Sequence, residues 1–271
     1  MTFKQLFAKS LNRILAAQGA GRRVVIDLPA GSGETSRYLK EQGFEVLPFD
    51  LFPEFFSVPG LECKFCDITQ GIPVADETAN LIICQEGIEH FSDQVAAMKE
   101  LSRVLKTGGT LVLTTPNYSS LKAKVSYLLN ESEKYNRMMS LNEYDSIWYN
   151  RDNNENQYFG HMFLIGITKL RLLGKIAGFE IQKIHFSEFK SSNFLLFVIF
   201  YPFILVSSLL SYSKNVRKKP YAKASYKEIL KLNINPKILV DGSLIVEFKK
   251  TSSVQEAKKA LYQIGNYETK T

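Results

Sequence analysis

At 271 residues, 45% of them hydrophobic and 23% charged, the chain has the make-up of one sizeable globular domain rather than of a disordered or fibrous protein. Three cysteines, Cys63, Cys66 and Cys84, exclude a disulfide framework and fit a reducing compartment. The net charge of +7 admits an anionic partner, nucleic acid or membrane, and much of the surplus lies between Lys214 and Lys231.

Phe3, Leu6, Phe7, Leu11, Ile14 and Leu15 recur at helical spacing among Lys4, Lys9 and Arg13. That pattern predicts an amphipathic helix covering the domain, not a secretory signal, and hence a cytoplasmic protein. VVIDL (24–28) reads as a buried strand, and GETSRYLKEQG (33–43) as a helix with Glu34 in its first turn and Gly43 as its stop. FEVLPFD (44–50) is a second strand ending on an acid. LECKFCD (61–67) is a short third strand, in which Cys63 and Cys66 alternate and no metal site is expected. NLIIC (80–84) is the fourth strand, closed by the polar cluster QEGIEH.

SDQVAAMKELSRVLKTGG (92–109) reads as a helix with Ser92 as N-cap and Gly108 as C-cap. Its apolar face is Val95, Met98, Leu101, Val104 and Leu105. TLVLTTPN (110–117) follows as a strand. The rhythm predicts an α/β fold: a doubly wound, mainly parallel, seven-stranded sheet in a single domain over 1–271. Residues 118–160, rich in Asn, Glu and Tyr, read as an insertion over the sheet that forms a lid. TKLRLLGKIAGF (168–179) restores a helix, FEIQKIHF (179–186) a strand, and GSLIVEFK (242–249) the last strand.

In an open parallel sheet, ligands bind beyond the carboxyl ends of the strands, where the acids and glycines of this chain fall. A phosphate-binding P-loop requires GxxxxGK[ST], which does not follow Gly31 or Gly33. A dinucleotide fingerprint would put Ser36 at its third glycine and Asp27 beside a pyrophosphate, which weakens that reading and leaves it open. A cationic nucleoside such as S-adenosylmethionine would welcome Asp27.

Asp27-Leu28-Pro29-Ala30-Gly31-Ser32-Gly33 resembles the first motif of class I S-adenosylmethionine-dependent methyltransferases, with Pro29 where the first glycine usually stands. The likeness continues through Asp50-Leu51, Asp67-Ile68, Cys84-Gln85-Glu86-Gly87-Ile88-Glu89-His90, Arg103 to Gly109, Thr115-Pro116-Asn117, Gly160-His161 and Ala177-Gly178-Phe179. Together they are similar to the branch that contains the ubiquinone-biosynthesis O-methyltransferases. The resemblance implies a Rossmann-like methyltransferase fold with S-adenosylmethionine as cofactor. It implies Asp27, Pro29, Ala30, Gly31, Ser32, Gly33 and Gln85 around the donor, Asp50 and Leu51 at its ribose, and Asp67 and Ile68 at its adenine.

Methyl transfer needs the nucleophile positioned and desolvated, and a base where the acceptor is a hydroxyl. His90 and His161 are the candidate bases, with Glu86 or Glu89 to orient an imidazole or take the proton. Gln85 to Ile88 lack the Asn/Asp-Pro-Pro-aromatic run expected of an amino-methylating enzyme of nucleic acid, so O-methylation is expected. Cys84 reads as a buried structural thiol.

FLLFVIFYPFILVSSLLSY (194–212) carries no charge over 19 residues, near the length needed to cross a bilayer. A single crossing would separate strand 242–249 from its sheet, so 188–238 is read as an apolar hairpin or bent helix at the membrane surface, with Pro202 at the bend. Lys214, Arg217, Lys218, Lys219 and Lys223 suit an anionic leaflet, and Tyr201, Tyr212 and Tyr221 its interface. The expected acceptor is then a membrane lipid, a quinone-like molecule or a lipid-linked glycan, met at the inner face of the plasma membrane, with no nucleic acid bound. An NAD(P)-dependent oxidoreductase and a catalytically silent membrane adaptor of the same fold are the alternatives.

Overall fold

Alternating burial on the central strands sorts their side chains into two apolar layers, and each layer recruits its own helices. The computed structural model describes residues 3–17, 23–132, 140–149, 157–186 and 191–265. The strands are β1 (Val24–Asp27), β2 (Glu45–Asp50), β3 (Lys64–Phe65), β4 (Ala79–Gln85), β5 (Leu105–Pro116), β6 (Ile147–Tyr149), β7 (Gln157–Phe159), β8 (Phe179–His185) and β9 (Ser243–Lys250). The helices are α1 (Phe3–Ala17), α2 (Glu34–Glu41), α3 (Gln94–Val104), α4 (Leu121–Asn130), α5 (Glu143–Ser146), α6 (Ile167–Ile176), α7 (Ser191–Lys218), α8 (Lys223–Asn233), α9 (Pro236–Val240) and α10 (Val254–Gly265).

Seven strands form one sheet in the order β3-β2-β1-β4-β5-β9-β8. The first five are parallel, while β9 inserts antiparallel between β5 and β8. Ile26, Ile82, Leu111, Leu113, Val246 and Phe248 face a layer built with Met98 and Leu101 of α3 and Leu170 and Leu173 of α6. Val25, Leu81, Ile83, Val112 and Ile245 face the other layer, where Phe7, Leu11, Ile14 and Leu15 of α1 meet Leu39 of α2. The amphipathic first helix thus buries its stripe on the sheet.

Several local expectations shift. The third strand shrinks from 61–67 to two residues, because β2 ends at Asp50, whose carbonyl takes the Cys66 N–H at 2.8 Å. Helix α3 stops at Val104, and Gly108 does not cap it: Leu105 already pairs with Ala79 of β4, so the chain enters the sheet before the glycines. Its N-cap is Asp93, not Ser92, with the carboxylate accepting from Val95 and Ala96 N–H at 3.0 and 2.8 Å. Val95 points outward from that first turn instead of joining the apolar face.

Between 118 and 160 the described residues form α4, α5 and the separate antiparallel pair β6–β7, with Trp148 opposite Tyr158. Residues 191–218 form one continuous helix through Pro202, not a hairpin. Proline removes one backbone donor, whereas a hairpin turn among apolar side chains would open several backbone pairs. Helix α7 is about 42 Å long at 1.5 Å per residue. It is long and apolar enough to cross a membrane, and no residue of its most apolar 18-residue stretch is buried.

Both ends of α7 are tied to the domain. Near its start, Asn193 donates its side-chain amide to the Val240 carbonyl of α9. Just past its end, α8 is clamped to α6 by Arg171, whose guanidinium reaches Glu228 at 2.6 Å and Ser225 at 3.1 Å. The chain before and after α7 thus belongs to one domain, with β9 in its sheet.

Asn117, buried at the end of β5, fixes this region by donating to the Ile238 and Asp241 carbonyls at 2.7 and 2.8 Å. Asn117→Ala removes both bonds from the buried Ile238 and Asp241 carbonyls, a cost of roughly 2–4 kcal/mol. Thermal unfolding should show Tm lower by roughly 5–15 °C, and an unchanged Tm would remove this role.

Candidate active site

The sheet's order reverses direction between β1 and β4, and the carboxyl ends of β1, β2 and β4 converge on that point. Beyond them opens a cavity of about 790 Å³. Among the described residues that line it are Asp27, Glu34, Asp50, Asp67 and Glu86, and no lysine or arginine. Such a wall attracts a cation and repels a pyrophosphate, so the dinucleotide reading loses its footing.

Asp27 is the most constrained of these acids. One carboxylate oxygen, Oδ2, accepts from the Ser36 hydroxyl at 2.6 Å, while Oδ1 is buried with no hydrogen-bond partner among the described residues. Burial, helped by the charge of Asp50 and opposed by the Ser36 bond, pushes its pKa up to about 7. An unpaired buried carboxylate oxygen in a cavity wall fits the positive charges of S-adenosylmethionine.

The turn from Leu28 to Gly33 is drawn tight by its backbone. Ala30 N–H donates to the Phe49 carbonyl at 2.9 Å, and Gly31 N–H to Asp50 Oδ2 at 2.8 Å. Gly31 takes φ +52° and Gly33 φ +91°, the left-handed region where glycine is unstrained. On the far wall Gly87 must be glycine as well, because a Cβ there would lie 2.5 Å from Pro29 Cδ.

The structure brings Asp27, Pro29, Ala30, Gly31, Ser32, Asp50, Leu51, Asp67, Ile68 and Gln85 to this wall. Gly33 is the exception: it is the N-cap of α2, closed in by Phe56 and Val58, and serves packing instead. Asp50 Oδ1 accepts from Phe52 N–H at 2.9 Å, so the carboxylate that faces the cavity also shapes its rim. Asp67 Oδ1 holds the Thr69 N–H and hydroxyl at 2.9 and 2.7 Å, and Gln85 Oε1 accepts from Thr35 at 3.0 Å.

The predicted bases separate in space. His90 faces the cavity, with Nδ1 2.6 Å from the Phe159 carbonyl and Nε2 2.9 Å from the Tyr158 hydroxyl. A carbonyl only accepts, so Nδ1 carries the proton, and in the neutral form of the ring Nε2 is the acceptor for the Tyr158 hydroxyl. Tyr158 also stacks between His90 and Trp148, at 4.6 and 5.3 Å. Glu89 is buried behind the ring, its Oε1 3.9 Å from His90 Nε2 and its Oε2 accepting from Thr115 at 3.0 Å. Burial, then the charge of Glu86, pushes the Glu89 pKa up to about 7.

Glu86 lines the cavity with its carboxylate bonded by Thr114 at 2.9 Å. His161 lies outside the large cavity's wall, though its ring is 5.1 Å from that of His90. Glu89, His90 and His161 offer ligand atoms within 4.8 Å of one another, so a metal ion could be held there if His90 released Tyr158. Cys84 is fully buried with its thiol pushed well above the usual range by desolvation, as a structural thiol should be.

Sequence reasoning missed Ser36 as part of the site, although a hydroxyl one helical turn past the glycines points back at the strand end. It read Tyr158, with Tyr144, Trp148 and Tyr149 of the insertion, as suited to stacking on a sugar or aromatic ring, and not as the partner of a histidine 68 residues away, to which the β6–β7 pairing brings it.

Strand order and a cation-seeking cavity at the switch point define an α/β enzyme of the methyltransferase kind. A family model described as a methyltransferase domain matches residues 3–184, and the chain belongs to the class I S-adenosylmethionine-dependent methyltransferases. A demethylmenaquinone methyltransferase of Chlorobaculum parvum is 28% identical over 116 residues, 38% of this chain and 48% of its own length. A ubiquinone biosynthesis O-methyltransferase of Xanthomonas oryzae pv. oryzae is 32% identical over 107 residues, 36% of this chain and 44% of its own. The matched stretch thus spans about half the length of these relatives. A solved SAM dependent methyltransferase from Archaeoglobus fulgidus shares the fold, with a TM-score of 0.53 at 15% identity over 90% of this chain and 93% of that one.

Asp27 gives this site a pH signature in the unliganded protein. Its folded pKa of about 7 lies above the 3.8 of a freely solvated aspartate, so the folded state holds the proton longer and stability falls as pH rises between the two. The full penalty, on the order of 4 kcal/mol, is present above pH ~7. Asp27→Asn should therefore raise Tm by several degrees at pH ~8 and by almost nothing near pH ~4, read by scanning calorimetry. A uniform loss of Tm across that range would contradict the assignment.

Proposed function

We propose that this enzyme transfers a methyl group from S-adenosylmethionine to a hydroxyl oxygen of an amphiphile, quinone-like or otherwise lipid-borne, at the cytoplasmic face of the plasma membrane. When bound, the cofactor supplies a methyl on a sulfonium, with its own leaving group. Asp27 Oδ1 would pair with the cofactor's positive charge, and Asp50 and Asp67 with its hydroxyl and amino groups. His90 Nε2, released from Tyr158, would take the hydroxyl proton as the new C–O bond forms and the C–S bond breaks, leaving S-adenosylhomocysteine. The buried Glu89 carboxylate, in its ionised form, would stabilise the imidazolium so formed.

The observation that carries the membrane part is the exposed apolar face of α7. Phe203 is 71% exposed and Leu210 67%, on a helix fixed to the domain at both ends. Apolar surface of that extent in water is costly at about 25 cal/mol per Å², and a lipid interface removes the cost. Lys214, Arg217, Lys218 and Lys223 follow directly, where each adds about 1 kcal/mol of attraction to an anionic leaflet. The names of the quinone-biosynthesis relatives support an acceptor that lives in the same phase.

Two measurements test the reading. Native protein should sediment with phosphatidylglycerol vesicles and the doubly substituted Phe203→Glu, Leu210→Glu protein should bind them at least tenfold more weakly with unchanged cofactor affinity. Incubation with methyl-labelled cofactor and a membrane extract should put the label into a lipid-phase methyl ether. Label confined to amines, nucleic acid or the aqueous phase would overturn the proposal.

A further inference from the structure

The hairpin that brings Tyr158 to His90 also carries the one tryptophan of the sequence, Trp148. Trp148 lies opposite Tyr158 and stacks on its ring at 5.3 Å with the two planes 7° apart, while Tyr158 lines the donor cavity. Gly160 lets the hairpin close on α5, since a Cβ there would sit 2.9 Å from the Asp145 carbonyl oxygen and 3.6 Å from the indole. The indole is thus held at the rim of the cavity, half of it exposed.

Exposed apolar groups continue from Trp148 along the insertion. Leu128, Leu129, Leu141, Tyr144 and Tyr149 all face outward, with Tyr144 83% and Leu128 79% exposed. Helix α4 buries Leu121, Ala123 and Ser126 in its first two turns and carries Leu128 and Leu129 clear of the domain in its last. The Ser140 hydroxyl donates to the Asn130 carbonyl, which brings Leu141 beside that end of α4, and the Trp148 indole N–H reaches the Tyr144 carbonyl at 3.4 Å. Helix α4 in turn packs against α7, so the edge runs on to the surface proposed above to meet lipid. Its described charges are Lys122 and Lys124 against Glu131, Glu143 and Asp145. The edge therefore has no electrostatic attraction of its own for an anionic leaflet, and the basic run that follows α7 has to deliver it.

We infer that this edge is a second membrane contact, in which Trp148, Leu128 and Leu129 enter the headgroup region of an anionic phospholipid leaflet beside α7. This rests on the membrane reading above and adds to it the orientation of the docked domain. One helix lying on a bilayer leaves rotation about its own axis open, whereas a second contact to its side fixes the roll. Tyrosine and tryptophan suit that depth, because each has an apolar body and a polar tip that stays wet. A protein partner covering the same edge would bury Glu143 and Asp145, both exposed, along with the rings, a cost that the wet headgroup region does not impose. With Trp148 in the leaflet, Tyr158 and then His90 follow ring on ring at 5.3 and 4.6 Å, so the rim of the cavity faces the lipid.

A lone tryptophan makes the test direct, since tryptophan fluorescence reports Trp148 alone. With phosphatidylglycerol vesicles the emission of native protein should move about 10 nm to the blue, as for an indole passing from water to the headgroup level. Phosphatidylglycerol brominated on its acyl chains should quench that emission at least twofold. The doubly substituted Leu128→Glu, Leu129→Glu protein should bind the vesicles at least threefold more weakly and lose the quenching, with unchanged S-adenosylhomocysteine affinity showing that it is folded. Native protein that sediments with vesicles but shows neither shift nor quenching would overturn the inference and leave the α7 contact standing. A shift without quenching, which a rearranged Tyr158 stack would give, or quenching that survives the double substitution would overturn it as well. Native protein that does not sediment at all would end the membrane reading and this contact with it.

Discussion

Asp27 is held at the end of the central strand with Ser36 on one carboxylate oxygen and, among the described residues, no hydrogen-bond partner on the other, inside a cavity whose described charged wall residues are all acids. Burying a carboxylate in this way destabilises the unliganded fold above neutral pH, and a cationic ligand reverses that cost by restoring a counter-charge. The surrounding geometry serves the same end. Asp50 pulls the glycine turn inward through the Gly31 N–H, Gly87 lets Pro29 approach, and Gln85 is held by Thr35. A site organised around an uncompensated anion selects a sulfonium cofactor over a pyrophosphate one before any contact to a base or ribose is considered.

The opposite side of the cavity is organised by proximity rather than by charge. β7 contributes Tyr158 and Phe159, whose hydroxyl and carbonyl hold His90 at the cavity wall, and two residues later His161 brings its ring within 5.1 Å of the His90 ring. Helix α7 packs against α4 and leaves an apolar face exposed, with the domain attached at Asn193 and through α8. On the proposed reading, that face is the one that meets a bilayer.

Much of the fold was legible because its strands are continuous apolar runs closed by acids or glycines, and because the sheet's two faces follow from simple alternation. What failed were features decided by partners distant in sequence. Gly108 has the residue type of a helix stop, yet Leu105 is captured first by Ala79 across the sheet. Ser92 and Asp93 are both good caps, and local pattern has no means of choosing between neighbours. Pro202 left a hairpin and a bent helix both open, and the chain takes the helix, because a helix tolerates one lost donor better than an apolar turn tolerates several. In the site, the strand-end acids were readable from the motif. The Tyr158–His90 bond and the burial of Glu89 behind it arise from a hairpin inserted far along the chain, and no spacing rule anticipates them.

Calorimetric titration of the full-length protein with S-adenosylmethionine at pH ~6 and pH ~7.5, with NADH in parallel, tests the central claim most directly. The account predicts binding that tightens several-fold between the two pH values as Asp27 ionises, with no binding of NADH. Affinity for S-adenosylmethionine that is flat with pH, or binding of NADH in its place, would contradict it.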